Sequence, residues 1–317
     1  MAFDDESTTD EVLDGVDLSG RWVLVTGASA GLGQETARAL AAHGANVVLG
    51  VRDAEKGERA AEPIREAAKN GGGEVELRTV DLASLASVRA FCDALTADHG
   101  RLDLLVANAG VMACAEGTTA DGFETQLGTN HLGHFVLVNR LAPLLVAGAP
   151  SRVVCLTSAG HRFSDVDLDD PGFEQTPYDP WVAYGRSKTA NVLFAVELDR
   201  RLREHGVRAC AVHPGGIATE LGRHLTDDTL AALQAARGER SFKWKSVPAG
   251  AATSVWAGVV ADADAVGGRY CEDCSVSEVT TDQTRATGVY GYAVDPDRAA
   301  ALWTASEQLV GEVFPPL

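Results

Sequence analysis

The sequence predicts an α/β protein built on one doubly wound parallel sheet with helices on both faces. Three observations point there. Short apolar runs alternate with longer amphipathic stretches from residue 21 to about residue 271, the pattern of βα units whose strands are covered on both sides. The first run, Arg21-Trp22-Val23-Leu24-Val25, ends in Thr26-Gly27-Ala28-Ser29-Ala30-Gly31-Leu32-Gly33 and opens an alanine-rich helix. The chemically distinctive residues Arg52, Asp81, Asn108, Ser158 and Pro214 each follow an apolar run. That places them along the carboxyl edge of the sheet, where such folds bind ligands.

At 317 residues, 45% hydrophobic and 23% charged, the chain is long enough for one large core. Residues 18–317 read as one domain without internal repeat or linker, and the acidic residues 1–17 as a flexible arm in which Thr8 and Glu11 have the spacing of a capping box. A net charge of −18 argues against nucleic acid or an anionic membrane surface as partner. The N-terminus lacks a basic, apolar leader, and no uncharged apolar run reaches the ~18 residues of a membrane span. Six cysteines in this length do not make a disulfide scaffold. A cytoplasmic protein is the simplest expectation.

Each element has its own signal. Glycines 27, 31 and 33 let the backbone approach a pyrophosphate, and the helix that follows, about Gln34 to His43, offers amide donors and a positive dipole end. Asn46 to Val51 is the next strand. An NAD site would place a carboxylate at its end; here Val51 stands there and Arg52 follows. A guanidinium suits a 2′-phosphate, with Ser29 close enough in sequence to add a hydroxyl, so NADP(H) is favoured over NAD(H). Asp53 is the cap of a helix from about Ala54 to Lys69. Gly71-Gly72-Gly73 breaks the chain before a strand, Val75 to Val80, closed by Asp81-Leu82. Ser84 caps a helix to about His99, and Leu102 to Ala107 is a buried strand ending in Asn108-Ala109-Gly110.

Thr118 to Ala147 reads as one long helix. It carries Asn130, whose amide competes with the helical backbone, within Thr129-Asn130-His131-Leu132-Gly133-His134-Phe135. An interior Asn near a Gly marks a local kink with a use. Val153 to Thr157 is a strand with Ser158 at its end, and 159–183 is loop bearing Phe163, Phe173, Tyr178 and Trp181. A helix follows to about His205. Val207 to Val212 is a strand ending in His213-Pro214-Gly215-Gly216. Residues 220–247 form helical cover, 249–260 a further helix and 269–271 a last short strand.

Tyr184-Gly185-Arg186-Ser187-Lys188 sits in the helix that Asp179 caps and Pro180 starts. Four residues apart, Tyr184 and Lys188 rise from one face. An ammonium beside a phenol stabilises the phenolate, and at ~4 Å in an intermediate dielectric it is worth about the 4 kcal/mol that a shift toward neutral pH requires.

Taken in order, Thr26–Gly33, Asp81, Asn108-Ala109-Gly110, Asn130, Ser158, Tyr184…Lys188 and Pro214-Gly215 resemble the short-chain dehydrogenase/reductase family over about residues 20–275, in particular the branch holding retinol dehydrogenases and protochlorophyllide reductases. One departure is Ala107, where many members carry a first Asn. The resemblance implies a Rossmann-type fold and hydride transfer with a nicotinamide cofactor. It implies Tyr184 as acid–base, Lys188 as the group that lowers its pKa and binds the nicotinamide ribose, Ser158 as hydrogen-bond donor to the substrate oxygen, and Asn130 as holder of a relay water. Gly27, Ser29, Ala30, Gly31, Leu32 and Gly33 would wrap the pyrophosphate and adenosine. Asp81 and Leu82 would face the adenine, Asn108, Ala109 and Gly110 the adenosine ribose, and Pro214, Gly215, Ile217 and Thr219 the nicotinamide. A homo-oligomer is compatible with the resemblance, though no residue decides it.

The expected activity is therefore NADP(H)-dependent alcohol dehydrogenation or ketone reduction on a small lipophilic or bulky substrate. Aromatics at 163, 173, 178, 181, 242 and 244 could line its pocket. Reduction of a C=C bond and catalytically silent nucleotide binding are the alternatives. Cys271-Glu272-Asp273-Cys274 lacks the second ligand pair of a structural metal site, so no metal is expected. His131 and His134 are expected in packing and at the surface, His213 as a strand-end hydrogen-bonding group.

Overall fold

The protein is described from a computed structural model, which covers residues 3–227, 229, 231, 244–282 and 285–315. Its centre is an eight-stranded sheet in the order β10-β9-β6-β5-β4-β1-β2-β3. The strands are β1 (Trp22–Thr26), β2 (Asn46–Val51), β3 (Val75–Thr79), β4 (Leu104–Ala107), β5 (Ser151–Leu156), β6 (Val207–His213), β9 (Tyr270–Glu272) and β10 (Ser275–Val276). All pair in parallel except β10, which returns antiparallel on β9. Two pairs of two-residue strands lie outside this sheet: β7 (Gly216–Ile217) with β8 (Trp244–Lys245), and β11 (Val279–Thr280) with β12 (Val289–Tyr290). The doubly wound α/β architecture read from the sequence is the one observed.

Both faces of the sheet are covered, which is why the strands are nearly continuous apolar runs. One core packs β-strand side chains against α4 (Leu85–Asp98), α6 (Gly133–Ala147), α7 (Pro180–Leu202) and the C-terminal α10 (Pro296–Val310). The other packs them against α2 (Gly31–Ala42), α3 (Ala54–Gly71), α8 (Val247–Val255) and the short α9 (Ala263–Val266). Among the described residues no helix is long and apolar enough to cross a membrane.

Three expectations are corrected. Residues 8–13 are not a loose arm. Thr8 and Glu11 do form a capping box at the helical turn α1 (Thr9–Val12), but Val12 and Leu13 are fully buried in the second core. The segment from Thr118 is not one helix: Thr118 bridges Glu124 across a turn at Gly122 (φ +86°), and the helical rod begins with α5 (Thr125–Leu127). It passes through a π-helical turn, Gly128–Leu132, before α6, so the kink expected at Asn130 is a one-turn π-bulge. The strand expected at 269–271 is not the last: β10, β11 and β12 follow it, and α10 packs along α7. Of the cover expected at 220–247, residues 220–224 form a 3₁₀ turn and 244–245 form β8; 232–243 fall outside the described residues.

The winding reverses between β1 and β4. β1 leads to β2 and β3 on one side, and β4 returns on the other, opening a crevice at their carboxyl ends.

Candidate active site

The crevice floor is a turn that admits no side chain at Gly27 or Gly33. Gly27 and Gly31 have φ of +68° and +56°, conformations glycine adopts without cost. A Cβ on Gly27 would lie 2.8 Å from Ala109 Cα, and one on Gly33 would lie 2.4 Å from Asn108 Nδ2 and 2.5 Å from the Gly27 carbonyl. Strands β1 and β4, in register from Val23↔Leu104 to Val25↔Val106, bring these residues together. Thr26 Oγ1 accepts from the Asn108 and Ala109 amides at 3.0 and 3.1 Å, and Asn108 Nδ2 donates to the Thr26 carbonyl at 2.8 Å. Asn108, expected at the adenosine ribose, spends its side-chain amide on holding the glycine turn. Leu82 likewise turns into the core.

The turn fits a pyrophosphate. Helix α2 starts at Gly31 after Ala30, which supplies no capping side chain, so its first amides are available to an anion. A cleft of about 580 Å³ opens beside it, lined by Ala30, Gly31, Ala218, Thr219 and Val247 among others. At the end of β2, Arg52 is exposed and pairs with no described residue, so a guanidinium stands ready for an anionic group. Asp53 caps α3 as expected, accepting from Lys56 N at 3.0 Å. Asp81 follows β3, its carboxylate accepting from Ala83 N at 3.0 Å. Pro214 and Gly215 follow β6, and Ile217 packs toward Gly250 on α8. Thr219 lies over Gly31, its methyl 3.3 Å from where a Cβ would be.

Across the carboxyl edge of the sheet, Asp179 caps α7 through the amides of Trp181 and Val182. This aims Tyr184 and Lys188 at the end of β5, where the Tyr184 ring and the Ser158 hydroxyl both border Gly160. Both Tyr184 and Lys188 are buried. The bare Cα of Gly160 is what lets the chain after Ser158 lie on the Tyr184 ring, since a Cβ there would fall 2.6 Å from Cε1. Trp181 and Phe163 stack edge-on above, with the Trp181 ring 6.3 Å from that of Tyr184. Phe173 and Tyr178 pair with each other, Phe173 beneath Arg186. Trp244 is exposed, and Phe242 falls outside the described residues.

The electrostatics differ from the sequence expectation. Lys188 was to lower the Tyr184 pKa; instead burial pushes the phenol up to about 12, and the Ser158 hydroxyl is the group that opposes it. Lys188 Nζ lies 5.6 Å from the ring centroid and donates to the Leu156 carbonyl at 3.3 Å. Burial pushes the lysine itself down to about 8. Desolvation penalises phenolate and ammonium alike, and here it outweighs their attraction. At neutral pH the phenol therefore keeps its proton and the amine is mostly charged.

Asn130 is fully buried in the π-bulge. Its Oδ1 accepts from Val111 N at 2.8 Å, and its Nδ2 donates to the Val111 carbonyl and to Ser187 Oγ, both at 2.9 Å. The amide thus joins the end of β4 to α7. His134, expected with His131 in packing and at the surface, is buried. Its Nε2 lies 2.9 Å from Thr26 Oγ1 and its Nδ1 3.0 Å from the Asn130 carbonyl. Its spacing of four from Asn130 was the available signal. His131 packs against Phe135, Phe194 and Ser306. His213 Nδ1 accepts from Ala159 and Gly215, the strand-end role expected. All six cysteines are buried free thiols.

The sequence profile of the short chain dehydrogenases matches residues 21–230. Human retinol dehydrogenase 14 is 40% identical over 305 residues, covering 93% of this chain and 87% of its own. The crystal structure of an uncharacterised protein from Mycobacterium paratuberculosis is 37% identical and superposes with a TM-score of 0.74, over 98% of this chain and 99% of that one. A short chain dehydrogenase from Burkholderia cenocepacia, solved in complex with NADP, is 26% identical with a TM-score of 0.64, over 81% of this chain and 98% of its own. With the glycine turn, Ser158, Tyr184 and Lys188 assembled on one sheet edge, the chain belongs to the short-chain dehydrogenase family and is an oxidoreductase.

Proposed function

We propose that the protein reduces the carbonyl group of a lipophilic substrate with NADPH, and oxidises the matching alcohol in reverse. The observation that carries this reading is the buried Tyr184, brought together with Ser158 over Gly160 at the carboxyl end of the sheet, one turn of helix from Lys188. A nicotinamide bound at this sheet edge would supply hydride to the carbonyl carbon. Tyr184 Oη gives its proton to the carbonyl oxygen, and Ser158 Oγ hydrogen-bonds that oxygen as negative charge grows on it. Lys188, mostly charged below pH 8, favours return of the proton to the tyrosine side of the site. The carboxyl-edge glycines and the uncapped α2 terminus would hold the pyrophosphate, and Arg52 would hold the 2′-phosphate that distinguishes NADP from NAD. The Burkholderia relative bound to NADP supports that choice.

Trp181 and Phe163 wall the approach to Tyr184 with apolar surface, and the similarity to a protein named for retinol, a long apolar alcohol, supports a lipophilic substrate. Incubation with NADPH and a panel of hydrophobic aldehydes and ketones, one of them an enone, tests the reading. The expected products are alcohols, with the C=C bond of the enone intact. A saturated ketone from the enone would replace carbonyl reduction by C=C reduction. Tight NADPH binding with no turnover across the panel would leave a nucleotide-binding protein without this activity.

A further inference from the structure

We propose that His161 is a positioning residue for Ser158, held in a single tautomer by the C-terminal parallel strand pair β11 and β12. The proposal rests on the function above, because Ser158 is the group it positions. His161 is fully buried. Its Nε2 accepts the backbone N–H of Tyr290 at 3.2 Å, and its Nδ1 lies 2.8 Å from the carbonyl of Ser158. A backbone N–H can only donate, so Nε2 carries the lone pair. The one proton of a neutral imidazole is then on Nδ1 and is donated to the Ser158 carbonyl. Burial holds the ring neutral by pushing its pKa down to about 4.

The Ser158 carbonyl also accepts the His161 amide at 3.0 Å, so both its acceptor sites are taken by one residue. The Ser158 hydroxyl accepts from Gly160 N at 3.0 Å while Gly160 lies on the Tyr184 ring. A tilt of the Ser158 peptide would therefore shift the hydroxyl relative to the phenol, and displacements of about 1 Å can cost about a hundredfold in rate.

The clamp comes from a distant part of the chain. Tyr292 Oη donates to the His161 carbonyl at 2.7 Å, and Arg162 donates to the carbonyls of Arg285 and Gly288 at 2.7 and 2.5 Å. Gly288 N in turn donates to buried Glu272 Oε1 at 2.6 Å. Tyr270 and Tyr290 pack on the imidazole with centroids 5.2 and 5.9 Å away. The segment after residue 271 thus reaches the end of β5 at His161 and Arg162, and reaches the Ser158 carbonyl through the imidazole.

The test separates the two ring nitrogens. In His161→Asn the amide nitrogen replaces Nδ1 and keeps the donor to Ser158. In His161→Gln the amide oxygen replaces Nε2 and keeps only the acceptor for Tyr290. Both lose ring packing, so a merely structural histidine would make kcat follow melting temperature in both. The expectation is that His161→Asn keeps kcat within about threefold, while His161→Gln loses about tenfold to a hundredfold in kcat at unchanged NADPH affinity. Equal kcat in the two variants would overturn the proposal. Nitrogen-15 NMR of the full-length protein reads the tautomer without turnover: a protonated Nδ1 is expected, and a protonated Nε2 would overturn the clamp. If the wild-type protein reduces no carbonyl yet Nδ1 is protonated, the clamp stands and the functional reading falls.

Discussion

The wall of the cleft made by β1, β4 and the π-bulge differs from the wall made by β5 and α7. On the first, polar side chains are consumed by one another. Thr26 binds two amides and His134, Asn108 binds the Thr26 carbonyl, and Asn130 binds Val111 and Ser187. What is offered to a ligand there is bare backbone, shaped by glycines that cannot be replaced. On the second wall, the side chains themselves are offered, and they are kept in the buried space that shifts Tyr184 up and Lys188 down. One wall is a mould and the other a set of reagents. Motif residues on the mould act by fixing shape, so their loss should be felt in binding and folding. Residues on the reagent wall should be felt in rate.

Lys188→Met should break the two apart most sharply. Activity should fall by about a hundredfold or more, yet the protein should melt higher, since a buried charge is replaced by an apolar chain on the order of 1 kcal/mol or more better suited to the site. The Leu156 carbonyl keeps Asn191 as its donor at 2.9 Å, so no acceptor is orphaned. The pH dependence has a definite sign. Lys188 titrates near 8 when folded against 10.5 when unfolded, so from pH 8 to 10.5 the unfolded chain binds the extra proton and wild-type stability rises with pH. The melting advantage of the variant, followed by thermal unfolding, should be greatest below pH 8 and fade toward pH 10.5. A variant that melts lower throughout would place Lys188 on the structural side.

Gly33→Ala tests the mould. Its Cβ would sit 2.4 Å from Asn108 Nδ2, and overpacking of this kind costs about 1–3 kcal/mol. NADPH affinity, measured by fluorescence titration, should weaken by about tenfold to a hundredfold together with the melting temperature. Unchanged affinity would remove the glycine turn from the cofactor site. Arg52→Ala is the smallest of the three. It should weaken NADPH by about tenfold, the worth of a charge-assisted bond at an exposed site, and leave NADH and stability unchanged. Equal loss for both cofactors would end the 2′-phosphate assignment.

The mould and the reagents were both legible in the sequence because strand, glycine turn and helix have local signatures and the carboxyl edge orders everything else. Asn130 was legible as a misfit in a helix, though not as a π-bulge joining Val111 to Ser187. Roles decided by burial were not legible. Spacing puts Lys188 beside Tyr184, but only the packed site shows desolvation outweighing their attraction. Leu13, in an acidic stretch, gave no sign of its burial. The strand pair at 279–290 was also beyond reach: strands of two residues have no periodicity, and the His161–Tyr290 bond spans 129 residues of chain. Helix α10 had a signal that went unused, since Asp295-Pro296 starts it and Gly311, with φ +64°, ends it.

The central claim is that the Tyr184 phenol delivers the proton while hydride is exchanged beside it. Steady-state rates of wild type and Tyr184→Phe, at saturating NADPH with a ketone the wild type reduces, measure it most directly. The phenol accounts for the chemistry if kcat falls by about 10²–10⁴-fold while NADPH affinity holds within about threefold. A phenylalanine variant that still turns over within tenfold of wild type would contradict it.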